Sequence, residues 1–306
     1  MILVPRTMAR GVRRAEARFL SAGRCNQNED FHKQHEAEED RASHPTFVHP
    51  SAIVHPRAVV GEGVTIGPYC TVGPEVKIGN ECRLSPSSHI FGNTELGDRC
   101  VLMTGAVIGD DLPGTTVIGS NNFFGHHSVT GVKCQDMKHK PSEESFLSIG
   151  NGNDIREFSS IHRSSRSNDT TIIGNNNLIM GSCHVAHDCT LGDNNILANN
   201  TLLAGHVTLE DFVRTSGGSR VHQFCRIGSY SFIAGGSAVT QDVPKYMIVS
   251  GDTAELRGLN LEGLRRCGFS ATEVKSLRAA YRKIFMFGGG SHISFEQRLA
   301  NVESDN

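Results

Sequence analysis

Aliphatic residues recur at every sixth position from Val54, through Val60, Ile66, Val72, Ile78, Leu84, Ile90, Leu96 and Leu102 to Ile108. Glycine often follows the aliphatic, as at Gly61, Gly67, Gly73, Gly79, Gly97 and Gly109. Four residues after each aliphatic a small or modest side chain recurs, among them Ala58, Val64, Cys70, Cys82, Cys100 and Ala106. A second run begins at Ile173 and passes through Ile179, Val185, Leu191, Leu197, Leu203, Leu209, Thr215, Val221, Ile227 and Ile233 to Val239; only Thr215 is not aliphatic. A period of six fits neither an amphipathic helix nor an alternating strand. It predicts a solenoid in which each hexapeptide makes one short face and a turn, and three faces close a coil of about 18 residues. Successive coils then stack as parallel strands about 4.8 Å apart. The aliphatic points into a narrow core, the small residue fills the corner, and each coil buries its core against the next. The expected fold class is an all-β parallel β-helix; periodicity does not set its hand.

The phase breaks between Ile108 and Ile173, although Ile118, Ile149, Ile155 and Ile161 keep fragments of it. Thr130–Leu147, polar and rich in Lys and Glu, and Ser164–Asp169 read as loops thrown out of the solenoid, where function tends to sit. After Val243-Pro244, Leu256–Cys267 reads as a short helix stopped by Gly268. Ser270 and Glu273 make a capping box. The helix behind it carries Val274, Leu277, Tyr281 and Ile284 on one face and Lys275, Arg278 and Arg282 on the other, and Gly288–Gly290 ends it.

Composition narrows the class. Net charge is -2 in 306 residues, giving no global pull towards nucleic acid or membrane. No apolar run approaches the roughly 18 residues of a membrane span. The nine cysteines lack paired CxxC spacing and read as reduced thiols, with Cys70, Cys82 and Cys100 as packing. The first 25 residues carry Arg6, Arg10, Arg13, Arg14, Arg18 and Arg24 against Glu16 alone, the composition of an organellar transit peptide. The expected organisation is a transit peptide and linker over residues 1–43, a β-helix over 44–250 and a helical cap over 251–306.

His184, His187, His206 and His222 cluster in the second run. His187 and His206 are one residue more than a coil apart, so they should meet at one corner on adjacent coils. Two chemistries fit a corner of histidines: a general base of near-neutral pKa, or a zinc-like metal site.

The local sequence resembles one family closely. QDMK (Gln135–Lys138), IHRS (Ile161–Ser164), HVAHDC (His184–Cys189), ILANNTLLAGHV (Ile196–Val207), VHQFCRIG (Val221–Gly228) and NLEGLRRCGFS (Asn260–Ser270) are similar, in this order, to bacterial UDP-N-acetylglucosamine 3-O-acyltransferases, which open lipid A synthesis. The likeness covers about residues 44–285, and with the Arg-rich leader it resembles a mitochondrial, plant member.

The resemblance implies a left-handed coil and a homotrimer with clefts between subunits, the Thr130–Leu147 loop reaching a neighbour's cleft. It implies a donor 3-hydroxyacyl group on acyl carrier protein, UDP-N-acetylglucosamine as acceptor, and no cofactor or metal. His187 corresponds to the general base and Asp188 to its partner. Asp136, Lys138, His162, His184, His206 and Gln223 correspond to sugar and diphosphate contacts, and Asn260, Glu262 and Arg266 to the nucleotide region. Gly235 matches the floor of the acyl groove, or serves with Gly236 only as a tight turn. Two features depart from the family pattern: Cys267 replaces a frequent third basic residue, and SHISFEQRLANVESDN has little likeness to the family's C-terminus, so a shortened cap is expected. From Arg257 to Lys283 seven basic residues stand against Glu262 and Glu273, which reads as a patch steering an acidic carrier or as an ordinary solvated face.

Three rivals compete. A γ-class carbonic anhydrase is also a left-handed hexapeptide trimer, with three metal-binding histidines across an interface; HVAHDC and NLEGLRRCGF argue against it. The N-acyltransferase of the same pathway carries an extra N-terminal domain, for which residues 1–43 are too short. A non-catalytic hexapeptide scaffold is the third, opposed by an intact His187, Asp136 and Gln223.

Overall fold

The computed structural model of the chain describes residues 45–111, 113–140, 142–286 and 294–304. The expected transit peptide and linker, and Gly288–Gly290, lie outside them. From Phe47–Val48 onward the chain coils through three parallel sheets, each receiving every third strand. One sheet takes Phe47–Val48, Thr65–Ile66 and Arg83–Leu84; the next takes Ile53–Val54, Thr71–Val72 and His89–Ile90; the third takes Val59–Val60, Lys77–Ile78 and Thr94–Leu96. Paired residues lie one coil apart, as Phe47 with Thr65 and Ile53 with Thr71. Most strands are two residues long, so their hydrogen bonds run between coils, for example Phe47 N–H to the Val64 carbonyl at 2.8 Å.

The ladder is inside, as its spacing requires. Ile66, Ile90, Leu102, Ile155, Ile179, Leu203 and Ile233 are fully buried. Each such side chain stabilises the coil by about 1.5–3 kcal/mol relative to exposure. Cys70, Cys82 and Cys100 are buried at the corner positions, and the eight described cysteines are all free. One corner column is built of amides. Asn153 Nδ2 donates to Asn122 Oδ1 and Asn177 Nδ2 to Asn153 Oδ1, both at 3.0 Å, and Asn195 N–H donates to Asn177 Oδ1 at 2.8 Å. Stacking thus satisfies the side chains of Asn122, Asn153 and Asn177, which would otherwise cost free energy in a core.

The phase break resolves into three insertions. The pairing step lengthens between Val101 and Phe123, between Gly114 and Ser145, and between Ser160 and His184. Phe124 and Thr130, both buried, continue the ladder inside the apparent break. The polar loop is therefore shorter than Thr130–Leu147: strands claim Val129–Val132 and Ser145–Ile149, leaving 133–144. The second loop is bounded by Ser160–His162 and Thr171–Ile173.

One compact unit ends at Leu256 and a second begins at Arg257. The expected helix over Leu256–Cys267 is corrected: Glu255–Leu259 is a strand, and helix α1 covers only Leu261–Arg266. Gly258 sits at φ +140°, outside helical space, and the Asn260 side chain accepts from Gly263 N–H at 3.0 Å, which fixes the start of α1. Helix α2, Ala271–Phe285, has the capping box formed by Ser270 and Glu273. Helix α3, Phe295–Ser304, lies in SHISFEQRLANVESDN, the stretch expected to depart from the family. Among the described residues no helix is long and apolar enough to cross a membrane.

Candidate functional site

The corner following His184–Val185 carries His187 and Asp188. Its 18-residue register, set by the pairing of His184 with Leu202 and of Leu202 with Arg220, stacks Gly205 and Gln223 in the column of His187. The same register stacks His206 and Phe224 in the column of Asp188. Asp188, His206 and Phe224 all have φ near +60°, but so do Asn176, Asn194 and Tyr230 at equivalent turns. The left-handed corner is therefore a property of the coil, not strain reserved for a reactive group.

His187 Nδ1 lies 2.7 Å from Asp188 Oδ2. Ser165 donates twice to the same carboxylate, from N–H to Oδ1 at 3.0 Å and from Oγ to Oδ2 at 2.6 Å. His206 Nε2 stands 3.5 Å from Asp188 Oδ2, with its ring 5.2 Å from that of His187 and stacked on Phe224. The Asp188 side chain is only 3% exposed. Burial alone would raise its carboxyl, but hydrogen bonds from His187 and Ser165 outweigh burial and hold it below the usual carboxylate range. It is thus a fixed anion at neutral pH, and it orients the imidazole.

A second pair lies beside the first. The rings of His162 and His184 are 5.1 Å apart. His162 Nδ1 contacts the Lys133 carbonyl at 2.6 Å, and His184 Nδ1 the Ser160 hydroxyl at 2.8 Å. Burial pushes His162 down and His184 down to about 4, the latter helped by His162 and His187. Both stay neutral near pH 7 and can each donate and accept a hydrogen bond. The unfolded chain binds their protons first as pH falls, so stability is present above the ordinary imidazole value of about 6.5 and declines from there towards the folded values. Urea melts at pH 7 and pH 4.5 check this: the lower pH gives the lower midpoint.

The segment His162–Ser165 gathers the loops. Arg163, fully buried, donates from Nε to Thr116 Oγ1 at 2.9 Å and from Nη2 to the Asp110 carbonyl at 3.3 Å. Ser164 Oγ accepts from Phe146 N–H at 2.9 Å. Ser165 joins Asp188, and its carbonyl contacts His139 Nδ1 at 3.1 Å. A cleft of ≈ 360 Å³ opens here, bounded by Asp136, Lys138, His139 and Lys140 on one loop and Ser165 and Arg166 on the other. Asp136 Oδ1 accepts from Lys138 N–H at 2.9 Å, a local turn that fixes the loop tip.

The other expected residues are placed as follows. Gln223 is exposed two coils from His187. Gly235 is exposed with an ordinary φ, and only Gly236 is left-handed, at +70°, a corner conformation that Ser182 and Asn200 share in the same column, so turn geometry makes no demand for glycine at Gly235. Asn260 is buried and caps α1, while Glu262 pairs with Arg265 at 2.8 Å and Arg266 at 2.7 Å. These pairs hold the Glu262 carboxyl down to about 2. Cys267, at the position of the missing base, is buried at the end of α1. Asn260, Glu262 and Arg266 belong to the second unit.

Two residues of the site escaped the sequence reading, Ser165 and Gly205. A Cβ on Gly205 would meet His187 Cε1 at 2.5 Å and Nε2 at 2.7 Å. Only glycine leaves room for the imidazole, and its place one coil above His187 was the available signal. Gly205→Ala therefore drives the ring off Asp188, and turnover falls by about 10²-fold with the coil intact. Steady-state kinetics beside circular dichroism measures both; an unimpaired variant contradicts the packing argument.

His187, Asp188 and His206 also present ligand atoms within 4.8 Å of one another. Two tetrahedral zinc ligands would sit about 3.3 Å apart, given metal bonds of about 2.0–2.1 Å. The 2.7 Å between His187 and Asp188 is instead a hydrogen-bond distance. As placed, the set fits a base with its orienting carboxylate better than a metal cage.

Three family models match parts of the chain. The model for domain 2 of UDP N-acetylglucosamine O-acyltransferase matches residues 242–306, that for the bacterial transferase hexapeptide matches 170–205, and that for the GMPPB C-terminal domain matches 48–138. A probable mitochondrial acyl-[acyl-carrier-protein]–UDP-N-acetylglucosamine O-acyltransferase of Arabidopsis thaliana is 66% identical over 267 residues, 87% of this chain and 80% of that protein. The chain belongs to the acyl-[acyl-carrier-protein]–UDP-N-acetylglucosamine O-acyltransferases. A Burkholderia lata member is 42% identical over 181 residues, 59% of this chain and 67% of its own. The crystal structure of an Arabidopsis UDP-N-acetylglucosamine acyltransferase aligns with TM-score 0.83 at 67% identity over 85% of this chain and 90% of that one. A Campylobacter jejuni acyltransferase aligns with TM-score 0.67 at 33% identity, covering 84% and 90%. The fold is the left-handed parallel β-helix of these acyltransferases. The domain 2 match runs through α3 to Asn306.

Proposed function

We propose that this acyltransferase moves a 3-hydroxyacyl group from acyl carrier protein to the 3-hydroxyl of UDP-N-acetylglucosamine, the first step of lipid A synthesis, with His187 as general base. The observation that carries the mechanism is the 2.7 Å contact between His187 Nδ1 and Asp188 Oδ2. An ionised Asp188 accepts a hydrogen bond from Nδ1–H, leaving the lone pair on Nε2. Nε2 takes the sugar hydroxyl proton as that oxygen attacks the thioester carbonyl. The tetrahedral intermediate collapses with cleavage of the C–S bond, and the imidazolium returns the proton to the departing thiolate. Proximity and a base suffice, with no covalent enzyme intermediate.

Neutral His162 and His184 line the sugar side, with His206 and Gln223 on the following coils. Asp136 and Lys138 on the 133–144 loop serve sugar and diphosphate, and Asn260, Glu262 and Arg266 serve the nucleotide. The working unit is a homotrimer in which this loop reaches a neighbour's cleft, and the basic face of α2 meets the carrier. The leader directs the chain to the mitochondrion, a reading supported by the name of the Arabidopsis relative.

Incubation of purified protein with 3-hydroxyacyl carrier protein and UDP-N-acetylglucosamine tests the reading by mass spectrometry of the acylated sugar nucleotide. Product formed equally with and without a chelator supports it. Absence of product together with one stoichiometric ion held by histidines would favour the metal-enzyme alternative, a γ-class carbonic anhydrase; absence of product with no ion would favour a non-catalytic scaffold.

Gly235 is proposed as the acyl-length ruler. One methylene gains only about 0.8 kcal/mol on burial, so a groove excludes longer chains by a wall rather than by affinity. A Cβ at Gly235 lies 3.3 Å from the Gly217 carbonyl, so a larger residue projects from the coil after small adjustment. Gly235→Met shortens the preferred donor by several carbons while short donors keep their rates. A donor series measures this, and an unchanged profile in a folded, active variant removes Gly235 from the role.

A further inference from the structure

We infer that Ser165 is a positioning residue for the catalytic dyad, acting through Asp188 to fix which histidine the carboxylate serves and how strongly it serves it. The inference rests on the reading of His187 as the base. Asp188 has two candidate imidazole partners, His187 at 2.7 Å and His206 at 3.5 Å, both reaching Oδ2. Left with a single acceptor contact, a carboxylate can swing about its side-chain bond and divide itself between them. Ser165 removes that freedom by gripping both oxygens, with N–H on Oδ1 and Oγ on Oδ2. The Asp188 backbone is pinned as well, its N–H donating to Thr171 Oγ1 at 2.9 Å.

Ser165 is itself anchored. It is 5% exposed, its carbonyl contacts His139 Nδ1, and it follows His162, Arg163 and Ser164, each bonded to a different element. The grip therefore ties the loop that carries Ser165 to the 133–144 loop and to the strands beside it. The hydroxyl also tunes the dyad. Oδ2 accepts from Ser165 Oγ at 2.6 Å and from His187 at 2.7 Å, so the two donors share the same negative charge. A hydroxyl spending part of that charge leaves less to stabilise an imidazolium.

Ser165→Ala removes the hydroxyl and keeps the N–H contact. The expected result is a kcat lower by about 10- to 100-fold with KM for UDP-N-acetylglucosamine little changed. The acid limb of kcat/KM moves to higher pH by about one unit. The NMR titration of the His187 ring in the intact protein moves the same way, and Ser165→Thr, which restores a hydroxyl, brings limb and titration back. A residue that only packs the loop would lower stability or rate and leave both in place, which would overturn the proposal. Failure of the base reading shows separately, as turnover retained by His187→Ala. Failure of the present proposal shows as an unmoved His187 titration in Ser165→Ala, whatever the first result.

Discussion

His187→Ala lowers turnover by about 10²–10⁴-fold, the usual worth of a general base, while the protein stays folded. The loss is confined to chemistry for a structural reason. His187 stands at a corner of the coil, outside the ladder of Val185 and Leu191 that supplies the core. Its ring packs over Gly205 and bonds Asp188, so alanine leaves a polar gap at the corner and no cavity in the aliphatic ladder. Single-turnover rates with acyl carrier protein donor, beside thermal melting, separate the two effects. A near-normal rate in a folded variant would remove His187 from the mechanism, and a collapsed melt would show the corner to be structural.

Asp188→Asn is expected to cost nearly as much, about 10²–10⁴-fold in kcat, although it changes one atom and keeps the shape. The reason lies in the donors around the side chain. Ser165 N–H points at Oδ1, and Ser165 Oγ and His187 Nδ1 both lie on Oδ2. An asparagine that keeps its oxygen on the Ser165 N–H turns its amide donor towards His187 Nδ1, which must then accept. That places the proton on Nε2, the atom needed as base. The reverse flip sets the amide donor against the buried Ser165 N–H, a contact without an acceptor. The first orientation loses the productive tautomer, and the second keeps it only by leaving a buried donor unpaired. Asp188→Asn and His187→Ala assayed in parallel, each with an intact melt, check the expectation; an asparagine variant at full rate would mean that Asp188 does not set the tautomer.

Much of the fold was legible because it repeats. Every inward aliphatic from Ile66 to Ile108 lies six residues from the last, and the structure buries them all. The ladder was hidden only where its members are not aliphatic, at Phe124 and Thr130, and where inserted residues shift the count. The helix over Leu256–Cys267 was misread for a local reason: Gly258 and the Asn260 cap delay the start until Leu261. At the site, the meeting of His187 with His206 followed from their separation of one coil and one residue. Gly205 followed from the same arithmetic, being one coil above His187, but its necessity depends on which way the ring leans.

Ser165 shows where sequence reasoning stops. It lies 23 residues before Asp188, a separation that belongs to no multiple of the coil because an insertion intervenes. The sequence by itself determined the repeating terms of this protein: the period, the three faces, the inward ladder and the meeting of histidines at one corner. Each of those is a local pattern copied from coil to coil, and a parallel register converts it directly into position. Tertiary structure alone decided where the non-repeating segments land: the return of Ser165 onto both oxygens of Asp188, the contact of His139 with its carbonyl, and the burial of Arg163 against Thr116. Those contacts are made by loops with no period to carry them, held by single hydrogen bonds between residues distant in sequence, so their partners emerge only when the coils have stacked.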